Sequence, residues 1–428
     1  MTGTAHRRSS IVGWCLYDWA NSAYSTVMLT FVFSVYFAKG VVGDEAEGSG
    51  MWGFAIGAAG LAVALLAPIL GAIADHAGPR KPWIGALTLI AVLATAGLWF
   101  AEPDRAFIPL VMTLVVISSI TFEIGQVFYN AMLPTVAPRH MLGRMSGWGW
   151  GIGYIGGLAC LALALALLIK PDPALFGLDR GNQEHVRATA ILVALWYGLF
   201  STPLLLWTDD KPRGESRPLG AAIAAGLKQL KHSLRSLPGK PTLMRFLIAS
   251  ALYRDGLGTL FAVGGLYAAG SFGMDFDEIL IFAIGLNLTA GIGAIAFSWV
   301  DDRVGAKPTI LISLAGLIGF STTILFITDK TLFIGLALAL GIFVGPTQSA
   351  SRSLLARISP PELTTEMFGL YALTGKSIAF LGPILFGWVT LWTDSQRWGL
   401  ATVICFFLTG ALILLTVRPT AAGDDPSP

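Results

Sequence analysis

Six ionisable residues stand inside long apolar runs: Asp18, Glu123, Arg254, Asp255, Arg352 and Lys376. Three are acidic and three basic, so the set can neutralise itself. A charge at mid-bilayer costs roughly 2.5–3.5 kcal/mol on insertion scales, so such residues should face one another or a cavity. Their neighbours are polar at helical spacing. Asp18, Asn21 and Ser25 are three and four residues apart, as are Glu123, Gln126 and Asn130. Gly341, Gly345, Gln348 and Arg352 follow at intervals of four, three and four. Each set lies on one helix face. Such faces permit reversible chemistry: a carboxylate taking up a proton or holding an ammonium, a guanidinium holding a carboxylate in two hydrogen bonds. Arg254 and Asp255 point about 100° apart on a helix, so they pair poorly and one must seek a partner elsewhere. Arg352, some twenty residues into its run, reads equally as an anchor near the membrane face and as a ligand.

Bond-breaking chemistry finds no support. The chain has no G-x-S-x-G, H-E-x-x-H or P-loop string, and His6, His76, His140, His185 and His232 all fall outside the apolar runs. A membrane-embedded enzyme or an ATP-driven pump is therefore disfavoured, and no metal or cofactor is expected. Cys15, Cys160 and Cys405 fall inside apolar runs and read as buried free thiols.

The elements that carry these residues are membrane spans. Of 428 residues 54% are apolar and only 13% charged, about half the share of a soluble domain. Mean hydropathy is +0.70. A soluble fold is excluded, and a net charge of +2 gives no reason to expect a nucleic-acid partner. Twelve segments are long enough to cross a bilayer as helix, at 11–38, 51–74, 82–101, 106–137, 145–169, 188–208, 246–267, 277–300, 308–328, 331–355, 367–391 and 398–417. The first is too long for a signal h-region and has no A-x-A site behind it, so it is expected to stay as a span. With both termini inside, 18 of the 28 Lys and Arg fall on the inner side, seven on the outer and three within spans, which favours cytoplasmic termini.

One long polar stretch, 209–245, divides the spans six and six. It separates an N-terminal bundle at 1–208 from a C-terminal bundle at 246–428. Ile223, Leu227, Leu230, Leu234 and Leu237 recur there at helical spacing, with Lys228, Lys231 and Arg235 on another face. That pattern predicts a basic amphipathic helix suited to the inner leaflet, or simply a linker between bundles. The halves repeat. Gly71-x-x-x-Asp75-His-Ala-Gly78-Pro-Arg80-Lys81 follows span 2, and Ser298-x-x-x-Asp302-Arg303-Val-Gly305-Ala-Lys307 follows span 8, 227 residues later. Gln126, Pro138 and Gly147 are echoed by Gln348, Pro360 and Gly369, 222 residues later. Parallel six-span repeats are a transporter architecture.

The Gly71–Lys81 string resembles the loop 2–3 signature of the major facilitator superfamily, departing from it at His76 and Pro79. Tyr17-Asp18-Trp19-Ala20-Asn21-Ser22-Ala23-Tyr24 in span 1 resembles the vacuole effluxer branch of that superfamily. So do Phe128-Tyr129-Asn130-Ala131, Gly153-Tyr154-x-Gly156-Gly157, Tyr253-Arg254-Asp255-Gly256 and Thr347-Gln348-x-x-Ser351-Arg352-Ser353. The resemblance implies an all-α membrane protein of two pseudo-symmetric six-helix bundles working by alternating access. It also implies that spans 1, 4, 7 and 10 line the cavity, which places five of the six charges there and leaves Lys376 on span 11. Fungal members export amino acids from the vacuole. The expected protein is thus a secondary transporter of a small organic solute, with an amino acid as first choice and the bacterial inner membrane as its place. Uphill transport would be driven by protons. A multidrug–proton efflux carrier is the alternative, weakened because span 5 lacks the proline of the drug-antiporter motif. In the resemblance, Asp75 sits at the start of the helix opening the other half, near 367–369, and Asp302 does the same near 145–147, where a carboxylate favours the helix terminus.

Overall fold

The computed structural model describes residues 8–210 and 219–418. Arg7, Lys211, Arg213 and Arg217, counted above toward orientation, lie outside the described residues. Those described are helical, without strands. Twelve helices are long and apolar enough to cross a membrane: Arg8–Val42, Glu45–Ala77, Lys81–Phe100, Arg105–Val136, Arg139–Ile169, Glu184–Trp207, Pro241–Phe272, Asp277–Val304, Ala306–Phe326, Lys330–Ile358, Pro361–Thr393 and Gln396–Leu415. They match the twelve expected spans in order and are numbered 1–12. Several begin earlier than hydropathy indicates, because the first turns of spans 5 and 11 are polar yet helical. Phe54, Leu65, Leu93, Leu199 and Phe326 are more than half exposed, as lipid-facing residues are. Cys15 and Cys160 are buried as expected, whereas Cys405 is exposed. An apolar run does not distinguish a lipid-facing position from a packed one.

The chain forms two compact units. One comprises Met1–Leu66, Gly78–Val136 and Ile152–Gly214; the other Ala67–Ala77, Ala137–Gly151 and Glu215–Pro428. The last turns of span 2 and the first turns of span 5 therefore belong with spans 7–12.

In the first unit, span 1 is held by buried aromatics whose polar atoms are satisfied, as dry surroundings require. Trp14 stacks on Tyr129 at 4.5 Å and donates to its carbonyl. The Tyr17 hydroxyl bonds Thr88 and Tyr197, and that of Tyr24 bonds Ser118 and Ser119. Span 5 approaches span 1 through Gly153, Gly156 and Gly157; a Cβ on Gly156 would lie 2.6 Å from the Trp19 carbonyl oxygen. Span 1 is not a regular helix. After Arg8–Ala23 it widens into π-helix at Tyr24–Phe31 and again at Phe37–Val42. Each wide turn re-aims the residues beyond it, and such turns cluster at functional sites.

In the second unit, span 10 packs on span 8 through Gly341 and Gly345 against Thr289 and Ala290. Span 11 is broken. Thr364–Ile378 ends at Ala379 and Phe380, and Leu381–Thr393 starts afresh ahead of Pro383. The linker carries helix Leu219–Ser236 as predicted, but its buried face is Ala222, Gly226, Leu230 and Ser233. Ile223, Leu227 and Leu234 are exposed. Gly226 brings the linker backbone against Ile73, where a Cβ would lie 2.7 Å from its Cα, so small residues together with Leu230, rather than Ile223, Leu227 and Leu234, face the protein.

Candidate transport and gating residues

Span 1 positions Asp18 and Asn21 in the first unit. Asp18 is 7% exposed, and its Oδ2 accepts a hydrogen bond from the Tyr129 hydroxyl at 2.8 Å. Tyr129 is fixed between Trp14 and Tyr17, so the carboxylate has a rigid donor. Asn21 is 3% exposed, and its side-chain nitrogen has no hydrogen-bond partner. A buried unsatisfied donor costs about 1–3 kcal/mol, and such groups call for a reason. Ser25, next on that face, donates to the Ser22 carbonyl. Glu123, Gln126 and Asn130 on span 4 are half-buried.

In the second unit Arg254 and Asp255 of span 7 both reach span 11, which itself carries Lys376. Arg254 donates through Nη1 to the Tyr371 carbonyl at 3.1 Å and lies 4.0 Å above that ring. Lys376 stands in the last turn of Thr364–Ile378, where a cation suits the carbonyl end of a helix. Asp255 accepts the backbone N–H of Gly382 at 3.0 Å, in the first turn of Leu381–Thr393. That N–H has no intrahelical partner, and the carboxylate supplies one. Gly382 leaves no room for a side chain, since a Cβ would collide with Thr259 Oγ1. Neighbours that cannot pair with one another thus each serve span 11. Gln348 is half-buried on span 10. Arg352, 4% exposed, commits itself to span 5: Nε donates to Ser146 Oγ at 2.8 Å and Nη2 to the Ser146 carbonyl at 2.6 Å. Ser146 Oγ in turn donates to the Ser349 carbonyl.

The duplicated loop motifs meet helix starts. Asp75 accepts from Thr365 Oγ1 at 2.7 Å and from the Glu366 amide at 2.9 Å. Asp302 accepts from the amides of Gly143 and Arg144, and from Arg144 Nε at 2.6 Å. Both contacts fall two or three residues before the positions expected, because spans 5 and 11 start earlier. Gly71 is required for the approach: a Cβ there would lie 2.6 Å from the Thr365 carbonyl oxygen. Gly78 and Gly305 have φ of 112° and 96°, which favours glycine.

The basic residues of the motif do other work. Buried Arg80 donates to the Ala131 carbonyl at the end of span 4. The amides of Arg80 and Lys81 reach Asp210. Lys81 bonds the Thr208 carbonyl past span 6, and Lys307 bonds those of Leu415 and Val417 at the end of span 12. Lys81, not Arg80, is therefore the counterpart of Lys307. Arg303 is exposed. Sequence reasoning missed Asp301, 2% exposed, which accepts from Ser353 Oγ and pairs with Arg357 at 3.2 Å. Its signal was the acidic doublet Asp301-Asp302 where the first copy has Ala74-Asp75. It also missed Glu366, which is fully buried with Ser233 of the linker helix as a neighbour.

Comparison with known proteins places these features. A family model described as "Vacuole effluxer Atg22 like" matches residues 41–423. An uncharacterized MFS-type transporter, YxiO of Bacillus subtilis, is 27% identical over 416 residues, covering 96% of this chain and 95% of the relative. Autophagy-related protein 22-2 of Aspergillus clavatus is 26% identical over 273 residues, 58% of this chain and 43% of that longer protein. The structure of the major facilitator superfamily proton:xylose symporter XylE superimposes with a TM-score of 0.71 at 14% identity, covering 96% of this chain and 95% of the symporter. The fold is the major facilitator fold, and the molecule is a multi-pass membrane transporter, not an enzyme. The chain belongs to the vacuole effluxer Atg22-like family of that superfamily.

Proposed function

We propose that this transporter is a secondary active carrier that moves a small zwitterionic or anionic solute, an amino acid in the first instance, by alternating access coupled to protons. The observation that carries the reading is the duplicated gate: Asp75 on the start of span 11 and Asp302 on the start of span 5. Residues 11–208 rock against 246–417, and these contacts form in one state and break in the other. Asp18, with Asn21 beside it and Tyr129 orienting it, takes the substrate's ammonium group. Arg254 has donors beyond the one given to Tyr371, and these suit a carboxylate. Intramembrane charges of both signs support the amino-acid choice, and the proton:xylose symporter on the same fold supports proton coupling. Both termini face the cytoplasm, and the membrane is the bacterial inner membrane. The test is the purified protein in liposomes under an imposed pH gradient, supplied with labelled amino acids and, separately, with cationic dyes. Amino-acid accumulation supports the reading. Dye movement without amino-acid movement replaces it with drug efflux.

A further inference from the structure

We propose that helix Leu219–Ser236 is a docking surface for the anionic bilayer surface, and that lipid charge acting there steadies the contact made by Asp75. The helix has three sectors. Ala222, Gly226, Leu230 and Ser233 are buried against the protein. The next sector holds Ile223, Leu227 and Leu234, exposed by 38%, 45% and 46%. The third holds Lys228, Lys231 and Arg235, all exposed. At 100° per residue the apolar and basic sectors are centred about 100° apart. A helix held on one side by protein, with an apolar edge toward acyl chains and a basic edge beside it, has the geometry of the headgroup boundary. A soluble partner would leave the apolar edge without a reason to be this narrow or to adjoin three cations. An acidic leaflet satisfies both edges at once.

The buried sector says what docking does. Gly226 lies against Ile73, half a turn before Asp75 on span 2, and Ser233 neighbours Glu366, whose amide bonds Asp75. The linker helix thus packs on both segments that make the gate contact, at Ile73 and at Glu366. Each basic residue near an anionic surface favours association by roughly a factor of five, and salt weakens the effect within a Debye length. The docking stands on the helix alone; its consequence rests on the gate reading above.

Hydrogen exchange of the full-length protein tests it without any substrate. The protein is placed in nanodiscs of pure phosphatidylcholine or of phosphatidylcholine with about a third phosphatidylglycerol. Phosphatidylglycerol should slow exchange of 219–237 severalfold, and of 67–77 and 363–368 with it. Lys228→Gln/Lys231→Gln/Arg235→Gln should abolish both effects while leaving exchange in phosphatidylcholine unchanged. High salt should shrink them in the parent. Equal exchange in the two lipids overturns the docking, as does a triple variant that keeps the phosphatidylglycerol response. Protection of 219–237 alone, without the gate segments, overturns the coupling.

Discussion

At Asp18 a carboxylate sits in dry surroundings with a tyrosine hydroxyl aimed at it, and the tyrosine is itself stacked against Trp14 and Tyr17. The bond is worth about 1.5–3 kcal/mol, because one partner is charged and the site is poorly solvated. Tyr129→Phe and Asp18→Asn should each lower the thermal midpoint by several degrees. Their double variant should lose clearly less than the two losses added, since each single change already removes the shared bond. Simple additivity in a thermal-shift series would mean that the pair is not coupled. In transport, Tyr129→Phe should retain measurable uptake, whereas Asp18→Asn should lose affinity for an ammonium-bearing solute by tenfold or more. Equal affinity in Asp18→Asn would remove the ammonium role. The polar character of this site was legible from the spacing of Asp18, Asn21 and Ser25. Tyr129 as the donor was not, because a tyrosine in an apolar run carries no mark of which distant residue its hydroxyl meets.

Among the elements, span 11 is set apart by its break and by the two span 7 charges that reach it, one on each half. A continuous helix would need no external partner for the Gly382 amide; two half-helices do, and Asp255 supplies it. Asp255→Ala should cost about 0.5–2 kcal/mol, as the loss of a helix cap does, and Asp255→Asn less, because its amide oxygen can still accept. Gly382→Ala should destabilise more than Asp255→Asn, since the new methyl meets Thr259 Oγ1. Thermal unfolding in detergent gives the order; a Gly382→Ala protein as stable as the parent would show that the break relaxes freely. The twelve spans were readable because hydropathy reports what a bilayer crossing requires of each helix. The break, the π-helical turns of span 1 and the exposed Cys405 were not, since they depend on packing between spans. Arg254 and Asp255 show the same limit: their charge marked them as special, but Tyr371 and Gly382 as partners lie more than a hundred residues away. Asp301 was hidden by the run's end, where an acidic residue reads as loop.

For the whole molecule, transport requires that two states differ by little and that solute and proton bias them together. Asp75→Asn and Asp302→Asn weaken contacts belonging to one state by about 1–2 kcal/mol each, roughly a five- to thirty-fold shift in the balance. Distance distributions between spin labels on residues 11–208 and 246–417 should shift in both variants while the fold persists; unchanged distributions would remove the gate role. Energy coupling is the harder demand. Desolvation favours the neutral acid, so a carboxylate on a cavity face is the simplest carrier of a proton. Glu123 stands half-buried on the polar face with Gln126 and Asn130. It is the carboxylate we assign to the proton. A one-unit pH gradient coupled one-to-one supports about tenfold accumulation. Glu123→Gln, locked in the shape of the protonated form, should bring that ratio to about one, yet keep exchange of labelled for unlabelled solute at near the parent rate. If the variant still concentrates solute on ΔpH alone, Glu123 is not the coupling site and the proton travels on Asp18 or Asp255. If exchange fails as well, Glu123 holds the solute rather than the proton. A parent protein indifferent to pH would make the carrier a facilitator, or one driven by another ion, and Glu123 part of its binding surface.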